Sequence, residues 1–411
     1  MKKKKREKKL SASSMLTQYK SVCSTSSFKS QPRESHRPPQ FEKPTNLSLS
    51  MESNEHYSSL LSAILFLVVT MHSGANAQGS VPALYVFGDS LVDVGNNNHL
   101  ELSLLKADFP HNGIDYPGKK ATGRFSNGFN FADFLAQNLG VPTAAPYLSF
   151  SPDSNNTDSY LAGVSFASGG AGIFNTTNSG RCISFDEQID YFATVYAVLV
   201  EQLGTEKTLD HLARSIFALV IGSNELINYA KSDPANSATP EDFVGSLLST
   251  LQGQIKRIYN IGARRFVFIG TGPVGCCPGV RERNETKECS AVGNYVSNLY
   301  NTGVSSLLNK MKISEDMSYS FFDTYNAVLQ YIKQPSTYGF NEVAKACCGL
   351  GDLNAKIGCL PVSTYCANRS DHIFWDYYHP TEATSQLVTT TAFDGSAPLV
   401  YPININQLST S

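Results

Sequence analysis

Five short runs of this chain are apolar almost throughout, and longer helical patterns separate them. The runs are Ala83–Phe87 (ALYVF), Val164–Ala167 (VSFA), Ile216–Ile221 (IFALVI), Arg265–Ile269 (RFVFI) and Tyr319–Phe322 (YSFF). A strand with one wet face alternates apolar and polar residues. Runs without that alternation suit strands buried on both faces of a parallel sheet. Between them, Phe129–Leu139, Phe185–Leu203, Pro240–Ile261 and Val292–Met311 carry apolar residues at helical spacing, and Gly262 stops the third of these patterns. Alternating strands and helices predict an α/β protein with helices on both sheet faces. Right-handed crossovers make the arrangement doubly wound and flavodoxin-like. The expectation is one α/β/α sandwich around a central, mostly parallel, five-stranded sheet.

The text ahead of the first run is of another kind. Residues 1–50 open with MKKKKREKKL and stay rich in Ser, Lys, Pro and Gln, with no apolar periodicity. Such a segment buries too little to offset its ordering entropy, so it reads as a disordered basic leader or an over-long gene model starting ahead of Met51. Leu60–Val69 (LLSAILFLVV) then gives a short apolar run, followed by Ala75-Asn76-Ala77. A run this short cannot span a bilayer, and the small-x-small pattern reads as a cleavage site, so residues 51–77 are expected to be a signal peptide. Its first residues carry Glu52 and Glu55 and no Lys or Arg, which is unusual for such a peptide. Residues 78–411 then form one exported domain with no stable membrane anchor.

Charge and cysteine content fit export. Residues 1–77 hold twelve of the 33 Lys and Arg but only five of the 35 Asp and Glu. The remainder is acidic and repels phosphate backbones and anionic membranes, so no nucleic-acid partner is expected. Eight of the nine Cys fall in residues 78–411, an even number that favours disulfides in an exported chain. No CxxC pair or HxxxH run supplies zinc spacing, and no metal is expected. Sequons at Asn155, Asn175, Asn284 and Asn368 are compatible with a glycosylated surface.

Ligands of a doubly wound sheet bind beyond the carboxyl ends of its strands. The polar residues just after the apolar runs are therefore the chemical candidates: Gly88-Asp89-Ser90, Ser168-Gly169-Gly170 and Gly222-Ser223-Asn224. A Ser at a strand-to-helix turn presents its hydroxyl where free N–H groups can bind an oxyanion, although Asp and Ser also serve as ordinary caps. The G-x-S-x-G elbow occurs nowhere in the chain. A nucleophilic Ser needs a base, and residues 78–411 offer five His. His379 follows Asp376 by three residues, a spacing that lets a carboxylate reach the second imidazole nitrogen on one turn. The glycine run Ser168 to Gly172 could bring a backbone N–H close to a substrate, or simply make a tight turn. It is not a dinucleotide fingerprint, because no acidic residue ends a second strand about twenty residues on.

Phe87–Asn98 (FGDSLVDVGNNN), Phe166–Gly172 (FASGGAG), Gly222-Ser223-Asn224 and Asp376–His379 followed by PTEA occur in this order. Thr122–Gly128 (TGRFSNG), Gly272–Cys276 (GPVGC) and Tyr401–Asn404 lie between or after them. The chain thereby resembles the plant branch of the GDSL (SGNH) hydrolases over residues 82–408. The resemblance implies a secreted serine esterase or lipase of the plant cell wall, monomeric and cofactor-free, acting on a small-molecule, lipid or carbohydrate ester. It implies Ser90 as nucleophile, His379 as base and Asp376 as orienting acid. Ser90 N–H, Gly169 N–H and the Asn224 amide would bind the oxyanion, with a shift of one or two residues open at Gly169. An acyltransferase on the same triad, or a non-catalytic secreted binding protein, are the rival expectations. Glu225 stands where the family usually has Asp; the extra methylene could move the Asn224 loop or lose a carboxylate–backbone bond, and reduced but not absent activity is expected. The Cys276-Cys277 doublet stands where one Cys is usual, which leaves the pairing open.

Overall fold

The computed structural model describes residues 81–411 apart from 152–153 and 234–236. The expected leader and signal peptide lie outside the described residues. In chain order the strands are β1 (Leu84–Gly88), β2 (Ala145–Pro146), β3 (Val164–Ser165), β4 (Ile216–Val220), β5 (Arg265–Ile269), β6 (Ser318–Phe322), β7 (Cys348–Gly349), β8 (Thr364–Tyr365) and β9 (Val400–Pro402). Seven of them form the central sheet in the order β2-β3-β1-β4-β5-β6-β9, parallel except for β9. The helices of nine residues or more among the described residues are α1 (Phe131–Leu139), α2 (Phe185–Leu203), α3 (Thr205–Arg214), α4 (Ser223–Lys231), α5 (Pro240–Ile261), α6 (Ala291–Ser314), α7 (Thr324–Lys333) and α8 (Glu382–Asp394).

All five expected strands are present, and their order is flavodoxin-like. The strand order reverses between the parallel neighbours β1 and β4, which makes this the switch point where such folds bind ligands. The sheet exceeds the expected five strands by two. β2 and β9 are two and three residues long and each ends in Pro. A proline lacks the ladder N–H, so these pieces can pair only at an edge. Register is continuous across the centre: Leu84 to Gly88 face Ile216 to Val220, and Phe266 to Ile269 face Tyr319 to Phe322.

Every residue of β1 and β4 is buried, which explains why neither alternates. Tyr85, Phe87, Phe166, Phe192 and Phe217 pack as one ring cluster, with centroids 4.9–6.0 Å apart in the closest pairs. Each such ring contributes roughly 1.5–3 kcal/mol by burial. This cluster makes the floor of the sheet rigid, so the turns at its carboxyl end have little freedom.

Disulfides tie Cys276 to Cys289, Cys347 to Cys366 and Cys348 to Cys359. In the doublet it is Cys276 that pairs; Cys277 and Cys182 remain thiols. The pairs at Cys347 and Cys348 close the loop that carries β7 and β8. Buried Trp375 packs against both, and its indole N–H donates to Asn112 Oδ1 at 2.9 Å.

Candidate active site

Ser90 sits two residues past β1, at the switch point. Gly88 makes that turn possible: its φ is +150°, and a Cβ there would lie 2.1 Å from the Val220 carbonyl. The neighbouring ends of β1 and β4 can therefore approach, and Asp89 N–H donates to Val220 O at 3.0 Å. Gln188 of α2 clamps Gly88 from the other side, accepting from its N–H and donating to its carbonyl, both at 2.9 Å. The hydroxyl of Ser90 is thus set by backbone geometry and does not depend on a flexible loop.

Ser90 Oγ lies 2.7 Å from His379 Nε2. On the far side of the ring, Nδ1 lies 2.8 Å from both oxygens of Asp376. Asp376 Oδ1 also accepts the backbone N–H groups of Tyr378 and His379, each at 2.9 Å. These bonds close residues 376–379 into one turn, which is what the three-residue spacing allows. Asp376 and His379 are both buried, and the Phe125 ring lies 4.9 Å from the imidazole. The four other His among the described residues stand apart: His99, His111, His211 and His372 do not line the cavity at Ser90. His372 has its own carboxylate, Asp371, at 2.6 Å, so a His beside an Asp is not by itself informative.

Three donors were expected at the oxyanion position, and the structure gives one of them another acceptor. Gly169 N–H donates to Asp93 Oδ2 at 2.9 Å, and Gly169 does not line the cavity. Its amide is already committed. Gly170 is the next residue; it lines the cavity, its φ is +89°, and its N–H has no protein acceptor among the described residues. The uncommitted amide of the glycine run at the cavity is thus that of Gly170. The Ser90 N–H likewise has no acceptor among the described residues. Asn224, at the start of α4, lines the cavity too; one of its amide hydrogens goes to Ala171 O at 2.9 Å and the other remains free.

Glu225 has a fitted place beside this loop. Its carboxylate is buried, and Oε1 accepts Phe174 N–H at 3.1 Å and the Thr177 hydroxyl at 2.7 Å. Gly172 leaves the space: a Cβ there would lie 2.0 Å from Glu225 Oε1. The longer side chain is thus accommodated and holds the segment after the glycine run. Burial pushes its carboxyl up to about 6, opposed by the Thr177 and Phe174 bonds.

Several residues that hold the site went unassigned in the sequence reading. Burial pushes Asp93 up to about 6 despite the N–H groups of Gly95, Gly169, Asn96 and Asn97 that point at it. Asn96 donates to Ser165 O and Ala167 O, each at 2.8 Å, and Asn97 donates to Gly169 O at 2.8 Å. Together these side chains fasten the β1 turn to the glycine run. Arg124 forms a buried fork onto Asp133, 2.7 Å in each arm. Asp89 is fully buried beside the nucleophile. Its Oδ1 accepts Leu91 N–H, and its Oδ2 has no partner. Burial pushes it up to about 7, partly opposed by the Leu91 bond and the nearby His379.

Ser90 and His379 open onto a cavity of about 360 Å³, of a size to take a small organic ligand. Phe131, Ile269, Val328, Ile373, Phe374 and Val388 supply an apolar lining. Cys277 is buried against it, and burial pushes its thiol up to about 12, so it is not a competing nucleophile.

A doubly wound sheet that brings a hydroxyl, an imidazole and a carboxylate together at its switch point has the build of a serine-type hydrolase. The chain belongs to the GDSL-like lipase/acylhydrolase family, whose model matches residues 84–390. A GDSL esterase/lipase of Arabidopsis thaliana is 40% identical to it over 339 residues, which is 80% of this chain and 90% of that one. A second Arabidopsis thaliana GDSL esterase/lipase is 37% identical over 339 residues, covering 80% and 94%. A third is 34% identical over 362 residues, covering 86% and 96%.

Proposed function

We propose that this protein hydrolyses carboxylic esters through an acyl-enzyme on Ser90. The observation that carries the reading is the 2.7 Å contact of Ser90 Oγ with His379 Nε2, in a ring whose other nitrogen is held by Asp376. His379 takes the hydroxyl proton as Ser90 attacks the ester carbonyl. Asp376 fixes the tautomer in which Nε2 is unprotonated and Nδ1–H faces the carboxylate, and it stabilises the imidazolium that forms. The N–H groups of Ser90 and Gly170 and the Asn224 amide receive the negative charge on the carbonyl oxygen. His379 then protonates the departing alcohol. Water attacks the acyl group by the reverse sequence, releasing the acid and restoring Ser90.

The reading includes export: residues 1–50 as a leader, cleavage near Ala77, and residues 78–411 as a monomeric extracellular hydrolase. Three disulfides support it, as do exposed sequons at Asn155, Asn175 and Asn368. Among the described residues no helix is long and apolar enough to cross a membrane. A fluorophosphonate probe tests the chemistry. The expected result is one phosphonyl adduct, on the peptide that holds Ser90, blocked by prior incubation with an ester substrate. A protein that stays unlabelled, or is labelled elsewhere, contradicts the reading.

A further inference from the structure

One cation lines the cavity, and it has no acidic partner. Lys231 ends α4, the helix that Asn224 begins, and Asn224, Ile227, Asn228 and Lys231 all line the same space. Offsets of three, four and seven residues put these side chains on one helix face. Lys231 Nζ donates to the Tyr378 hydroxyl at 3.1 Å and lies 5.0 Å from that ring's centroid. No carboxylate of the described residues pairs with it. The charge that acts on it is that of exposed Arg283, a second cation. Burial and Arg283 both lower its pKa from the ordinary lysine value. A half-buried ammonium with a neutral phenol and a like charge for company is short of a counter-ion.

We infer that Lys231, backed by Tyr378, is a subsite for an anionic group of the substrate, so that the ester carries a carboxylate or similar anion. The inference rests on the ester-hydrolase reading of the same cavity and adds a substrate class to it. Seven residues separate Asn224 from Lys231, about 10 Å along the helix axis. Asn224 lies where the ester carbonyl is bound, so the anion belongs several bonds from that carbonyl. The apolar lining from Phe131, Val328 and Val388 receives the uncharged part. A neutral short-chain ester would leave the ammonium unserved.

Paired substrates test this. On the acyl side, mono-p-nitrophenyl adipate and suberate are compared with p-nitrophenyl hexanoate and octanoate. On the alcohol side, 6-butyryloxyhexanoate is compared with hexyl butyrate. The expected result is that the anionic member of at least one pair is preferred by about tenfold in kcat/KM, the size of one charge-assisted contact. Lys231→Met removes the preference and Lys231→Arg keeps it, whereas a merely structural lysine would move both members of a pair alike. No preference in either pair, or a preference that survives Lys231→Met, overturns the inference while leaving ester hydrolysis intact. Calorimetric binding to the Ser90→Ala protein, of monomethyl adipate against methyl hexanoate and of 6-butyryloxyhexanoate against hexyl butyrate, reads the same preference in both pairs without turnover. Equal affinities there overturn the subsite even if the chemistry at Ser90 differs from the one described.

Discussion

Replacing Glu225 with Asp, the residue more usual at this place, should damage this protein. The exchange removes one methylene and withdraws the carboxylate by about 1.5 Å. From 2.7 Å at the Thr177 hydroxyl and 3.1 Å at Phe174 N–H, both contacts pass out of hydrogen-bond range. Each buried donor left unserved costs about 1–3 kcal/mol. The shorter residue keeps its charge, so burial still disfavours it, and nothing offsets the loss. The expected destabilisation is about 2–4 kcal/mol, which in a domain of this size lowers Tm by roughly 3–6 °C. The segment freed is the one that follows Gly170 and Ala171, and Asn224 bonds Ala171. Loosening it should lower kcat by about tenfold or more, because small misplacements of positioned groups are expensive in rate. Glu225→Gln keeps the reach and should lose less Tm than the Asp variant. Calorimetric melting and p-nitrophenyl butyrate kinetics on the three proteins check this. An Asp variant that is as stable and as active as the wild type, or more so, would refute the reasoning.

Two other outcomes follow from the site. Asp89 is pushed up to about 7, and Asp93 and Glu225 to about 6, all by burial. Each therefore binds its proton more tightly folded than unfolded, so the stability these three groups contribute is full below about pH 4 and is lost as pH rises toward 7. Asp89→Asn keeps the acceptor for Leu91 N–H and removes the largest of these shifts. It should leave stability at pH 3 unchanged and raise it at pH 8 by as much as about 4 kcal/mol, read from urea unfolding at both pH values. Asn224→Ala removes one oxyanion donor and should lower kcat by about 10²–10³ with little change in KM, as steady-state kinetics will show; an equal change in both would mean that Asn224 only binds substrate.

The five strands could be read in advance because burial on both faces makes their sequences continuous, as in Leu84–Gly88 and Ile216–Val220. β2 and β9 could not, since two or three residues ending in Pro carry no period. Ser90 and Asn224 stood out because they follow buried strand ends, and all four site residues, Asp376 and His379 included, because they lie in strings that resemble the family's; a capping Ser or a His near an Asp is common by itself. Gly169 and Gly170 look alike in sequence. What separates them is that Asp93, seventy-six positions earlier, takes the first amide and leaves the second. The fastening done by Asp93, Asn96, Asn97 and Gln188 was hidden for the same reason. Each is an ordinary polar side chain whose partner lies far along the chain. The fit of Glu225 was also hidden, because the room for it is made by Gly172 on another loop. In the doublet, only geometry chooses Cys276 over Cys277.

The most direct test of the account compares the wild type with Ser90→Ala, both produced in an oxidising host and shown to be folded, on p-nitrophenyl butyrate. The predicted result is a fall in kcat/KM of about 10³-fold or more, with the remainder coming from the oxyanion donors and binding alone. Equal turnover by the two proteins would contradict the assignment of Ser90 as nucleophile, and with it the catalytic reading of His379 and Asp376.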